Sequence, residues 1–110
     1  MYYIFGMISS EEKNIIIQTL SPFNPKKIGV FGSRARDQHG EESDLDLLVD
    51  LENVNLLDIV ALEDELSRLL NIRVDLITEA SLNKYLRPKI KQDVKFFYSS
   101  LKDENVVNEK

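Results

Sequence analysis

The feature that most constrains this chain is a strand–helix–strand run over residues 43–77. Residues 43–51 alternate and so define two faces, with Leu45, Leu47, Val49 and Leu51 on one and Asp44, Asp46, Leu48 and Asp50 on the other. Residues 55–70 place Leu56, Ile59, Leu62, Leu66, Leu69 and Leu70 at helical spacing, with Asn55 positioned to cap the start and Asn71 to stop the helix. Residues 72–77 alternate again, with Ile72, Val74 and Leu76 opposite Arg73, Asp75 and Ile77. A helix joining two strands of this length predicts a right-handed crossover that lays the strands parallel.

The flanking sequence supplies the remaining elements. Ser9 and Glu12 form a capping box, so a helix is predicted to about Leu20, with Ile15, Ile16, Ile17 and Leu20 as its buried face. Pro22 and Pro25 end it. Residues 26–31 read as a short strand that runs into a sharp Gly32-Ser33 turn. Residues 33–37 could start a short helix, and 38–43 are polar loop. Pro88 suits the first turn of a last helix, with Ile90 and Val94 facing inward. Residues 96–98 are a final strand or the end of that helix, with Phe96 and Phe97 in the core, and residues 1–8 are a strand or a lead-in. This order is that of an α/β domain. A chain of 110 residues supports one such domain, placed at 1–99, with 100–110 as a polar C-terminal tail.

Composition narrows the chemistry. The absence of cysteine excludes a disulfide scaffold, a zinc–thiolate site and a cysteine nucleophile, and the single histidine, His39, excludes a two-histidine metal site within one chain. The net charge of -5 argues against general or stable DNA binding, which needs a cationic surface. The charge is uneven. Residues 41–65 hold ten carboxylates and no Lys or Arg, whereas 81–102 hold six basic residues against Asp93. No stretch approaches the roughly 20 apolar residues of a membrane helix, and the start lacks a basic targeting region, so a cytoplasmic location without membrane contact is expected.

Three carboxylates carry the chemical signal. Asp44 and Asp46, two apart in a strand, leave the same face, where protonation or a cation must relieve their repulsion. Asp75 lies near the start of its own strand, so parallel pairing brings it toward Asp46. Convergent carboxylate oxygens form a hard-donor site suited to Mg²⁺. Upstream, Gly32 allows close backbone approach, Ser33 adds a donor at a helix start, and Arg34 and Arg36 are near enough to help hold phosphate. Each feature alone is often only a turn or a solvated face; the ordered set points to a nucleoside triphosphate with magnesium.

The stretch GVFGSRARDQHGEESDLDLLVD, continued by RVDLIT, resembles the nucleotidyltransferase superfamily that includes DNA polymerase beta. In particular the chain is similar to the minimal nucleotidyltransferases, the antitoxins of two-gene modules whose toxin is a HEPN-type ribonuclease. The resemblance spans roughly residues 9–98 and implies a small mixed sheet flanked by helices. It also implies Mg²⁺ (two ions) at Asp44, Asp46 and Asp75, with Asp75 as possible base, ATP as substrate, and Gly32, Ser33 and Arg36 on the triphosphate. Asp37 departs from the family pattern, which usually has glycine there. The implied reaction transfers AMP from ATP to a tyrosine of the cognate toxin. The alternatives are an antitoxin that inhibits by occlusion alone, and transfer to RNA or a small molecule.

Overall fold

The first turn of α1 (Ser10–Leu20) is closed by reciprocal hydrogen bonds: Glu12 N donates to Ser9 Oγ at 3.1 Å and Ser9 N donates to Glu12 Oε1 at 2.9 Å. The capping box predicted from sequence is therefore formed. A computed structural model describes residues 8–32, 35 and 44–100 of the chain. The predictions for residues 1–7, the turn and helix start after Gly32 apart from Ala35, the loop 38–43 and the tail 101–110 lie outside the described residues.

After a short 3-10 turn, Ser21–Phe23, the chain forms β1 (Lys27–Phe31), β2 (Leu45–Asp50), α2 (Leu56–Leu70), β3 (Val74–Thr78), a second 3-10 turn (Glu79–Ser81), α3 (Leu86–Asp93) and β4 (Lys95–Ser99). Asn55 caps α2, its Oδ1 accepting from Asp58 N at 2.9 Å, and Asn71 ends it in the left-handed region at φ 59°. The sheet order is β3-β2-β1-β4. β2 and β3 are parallel, as the crossover requires, and β1 is antiparallel to both its neighbours, β2 and β4. The sheet is mixed and helix-flanked.

One face of the sheet carries the core. Ile28 and Val30 of β1, Leu45, Leu47 and Val49 of β2, and Val74 and Leu76 of β3 pack with Ile16 and Leu20 of α1 and Leu62 and Leu66 of α2. Of the predicted α2 stripe, Leu62 and Leu66 reach this core fully, whereas Leu56 and Leu69 stay exposed. The opposite face is mixed. Register places Asp75, Asp46 and Phe31 in one row across three strands, and Ile77, Leu48, Gly29 and Phe96 in the next. Leu48 is fully buried there. A Cβ on Gly29 would lie 2.7 Å from Val94 Cγ2 and 2.8 Å from Phe96 Cδ1, so glycine lets the start of β4 close on β1.

Three expectations are corrected. β2 begins at Leu45, not residue 43, because pairing with β3 begins with Leu45↔Val74 and Leu45 N donating to Arg73 O at 2.9 Å; Asp44 precedes the strand and is exposed. β3 begins at Val74 rather than Ile72, since the chain needs Ile72 and Arg73 to turn out of the helix stop at Asn71. Phe96 belongs to a strand but is 42% exposed, on the face away from the aliphatic core and beneath Lys27 and Lys91, each within 6 Å of its ring. Phe97 is the residue that packs against the core.

Candidate active site

Asp46 is the second residue of β2 and Asp75 the second of β3, and the parallel register makes them direct cross-strand partners. Both project from the face opposite the aliphatic core. Like charges placed opposite each other on neighbouring strands repel. That repulsion, acting on a half-buried group, favours the protonated form of Asp46. The Asp46 carboxyl is accordingly pushed above its usual value, first by burial, then by the charge of Asp75 and the hydrogen bond to it, and to a smaller extent by Asp44. Arg73 pulls the other way.

Gly32 closes the third side. It follows β1 directly, with φ at +79°, a conformation that L side chains rarely adopt. A Cβ built there would collide with Asp46 Oδ2. Glycine is thus required twice, for the backbone turn and for the room that the carboxylate occupies. The chain lays a bare stretch of backbone against an acidic oxygen, leaving a surface that a side chain would fill.

Among the predicted site residues, the structure brings Gly32, Asp46 and Asp75 together. Asp44 stands at the mouth, exposed, near enough for its charge to be felt at Asp46. Ser33 and Arg36 lie outside the described residues. Arg73 was not singled out from the sequence, although the alternation that places Asp75 on this face places Arg73 there too. Its Nε lies 3.5 Å from Asp75 Oδ1, and it is largely exposed. Being mostly in solvent, the pair contributes little to stability; its effect is to bring a positive charge to the edge of an acidic site.

The donor set can be tested against magnesium. Among the described residues, no group of three or more His, Cys, Asp or Glu side chains is gathered as a ready-made cage. Mg²⁺ rarely uses one: it keeps several waters and is held by one or two carboxylates together with substrate phosphates. Two adjacent carboxyls whose mutual repulsion a cation would relieve, a third carboxylate at the mouth and a side-chain-free backbone alongside fit an ion that arrives with a polyphosphate.

Comparison with known proteins bears on the family and the fold. Residues 12–98 match the family model described as the nucleotidyltransferase domain. The protein adenylyltransferase MntA of Thermococcus cleftensis is 41% identical over 73 residues, covering 66% of this chain and 74% of its own. A crystal structure of a toxin–antitoxin with AMP-PNP superposes at TM-score 0.73 and 19% identity, over 90% of this chain and 80% of the other. A chain from the tri-AMPylated HEPN toxin of Shewanella oneidensis in complex with MNT antitoxin gives TM-score 0.69 at 20% identity, over 90% and 79%. At these identities the two structures speak to the fold.

Proposed function

Starting from a chain that belongs to the nucleotidyltransferase domain family, we propose that it is a magnesium-dependent protein adenylyltransferase and antitoxin. It transfers AMP from ATP to a tyrosine hydroxyl of a cognate HEPN ribonuclease toxin in the cytoplasm and so neutralises it. The observation that carries the reading is Asp46, held between Asp75 on one side and a glycine that clears room for its carboxylate on the other. The kinship with a protein adenylyltransferase supports protein as the acceptor.

In this reading the β- and γ-phosphates lie along the backbone at Gly32, with Ser33 and Arg36 as further contacts. Asp44, Asp46 and Asp75 would hold Mg²⁺, which would supply Lewis-acid stabilisation of the charge that develops during transfer. Asp75 faces the acceptor and accepts the proton of the tyrosine hydroxyl. The phenolic oxygen forms a bond to the α-phosphorus as the bond to the bridging oxygen breaks, and pyrophosphate leaves with the displaced electron pair. Little covalent chemistry falls to the protein, so positioning and charge dominate. The raised proton affinity of Asp46 is the cost of gathering acids before the cation arrives.

The test incubates the chain with α-labelled ATP, Mg²⁺ and the protein encoded by the neighbouring gene. Label should enter that protein on tyrosine, and Asp44→Asn/Asp46→Asn should lower transfer by at least roughly 10²-fold. No transfer by the native chain, or equal transfer by the variant, overturns the reading. A second reading, inhibition by occlusion alone, draws on the acidic run at 41–65. It requires the same variant to neutralise the toxin fully at equal expression.

A further inference from the structure

The end of the sheet remote from Asp46 and Asp75 carries an unassigned surface. Leu56, Leu57 and Val60 are 76%, 79% and 46% exposed. On the first two turns of α2 they share a sector about 100° wide, beside the stripe that Leu62 and Leu66 bury. Next to them runs a cleft of about 350 Å³ between residues 51–55 and the turn Glu79–Ser81, with Leu51, Val54, Ile59 and Ala80 in its walls. Leucines left three-quarters exposed side by side gain from burial against a partner.

Charge states the kind of partner. Asp50 lines the cleft. Asp64 follows one turn after Val60 in the same sector and no Lys or Arg occurs from 41 to 65, whereas Glu79 in the opposite wall is already paired with Arg87 and Lys91. An apolar centre bordered by Asp50 and Asp64 attracts a segment whose apolar side chains are flanked by Lys or Arg. It disfavours a second copy of a chain that itself carries a charge of -5.

Position adds a reason. β2 runs from Asp46 at the acidic end to Asp50 at the cleft, four residues or about 13 Å of strand. A partner seated on the cleft and the start of α2 leaves the strand-start end open, where an acceptor side chain must enter.

We propose that this surface docks an amphipathic, Lys/Arg-flanked segment of the toxin, separately from the transfer site; the assignment rests on the antitoxin reading above. The test measures, by calorimetry, the affinity of the full chain for the protein encoded by the neighbouring gene, and AMP transfer to the same protein. Leu57→Lys, at a position that is 79% exposed, should keep the native melting temperature. It should weaken binding at least about 10-fold and raise KM for the protein acceptor while leaving kcat unchanged, and Leu57→Met should restore affinity. Native affinity in Leu57→Lys overturns the proposal, as does failure of the native chain to bind. Native self-association that Leu57→Lys abolishes in sedimentation assigns the surface to a second copy and also overturns it. If Leu57→Lys weakens binding but the native chain transfers no AMP, docking stands and the catalytic reading falls; if transfer is intact and affinity unchanged, docking alone falls.

Discussion

The two faces of β2 carry opposite kinds of side chain. Leu45, Leu47 and Val49 on one face are fully buried beneath α1 and α2. On the other, Asp46 stands directly across from Asp75 and is held against backbone, with only Leu48 giving that face a fully buried anchor in β2. One strand thus holds the fold together with its odd residues and gathers repelling charge with an even one. The lesson is that strand alternation separates stability from chemistry at a spacing of one residue, so each can be changed with little effect on the other.

The strongest challenge to that separation is Leu47→Ala. A fully buried leucine cut to alanine should cost about 2–5 kcal/mol, read from denaturant unfolding, while the molecules still folded keep native transfer per active site. Loss of specific activity in the folded fraction would show that the faces are coupled. Gly32→Ala should act in the reverse sense. Its φ of +79° and the nearby Asp46 oxygen make it costly on both counts, with a stability loss of roughly 1–3 kcal/mol and displacement of the Asp46 carboxylate. Transfer should fall by more than the loss of folded protein explains, measured as kcat per molecule folded by circular dichroism.

Much of this separation is legible in the sequence. The alternation at 43–51 and 72–77 and the intervening helix suffice to pair β2 with β3 in parallel, and hence to bring Asp75 to Asp46. The capping residues Ser9, Glu12 and Asn55 announce their helices. Other features depend on contacts that no local pattern encodes. Glycine at 32 reads as a turn, but the second need for it comes from an oxygen fourteen residues away. That Asp44 stands outside β2 follows from where the β3 partner begins, not from its own neighbours. Phe96 has the composition of a core residue, and only the approach of β4 to Gly29 puts it on the open face. Nothing local marks Glu63 or Ser67, polar positions on α2, as ties to the sheet, yet Glu63 Oε2 accepts from Leu76 N at 2.8 Å and Ser67 Oγ from Val74 N at 2.9 Å, and these bonds tie the helix to β3.

The smallest predicted effect on stability sharpens the comparison most, because it runs against the usual sign for a buried polar residue. The folded chain holds the Asp46 proton more tightly than the unfolded chain, whose value is near 3.8. Stability from this group is therefore present in acid and is lost as pH rises from 3.8 through the raised value. Replacing Asp46 with asparagine removes that loss. The most direct measurement pairs a melting curve for Asp46→Asn, taken with chelator at pH 7 and again below 3.8, with single-turnover AMP transfer at pH 7 in Mg²⁺. The account predicts a variant that melts higher than the native chain at pH 7, loses that advantage in acid, and transfers at least roughly 10²-fold more slowly. A variant that melts lower at neutral pH and transfers at the native rate would contradict it.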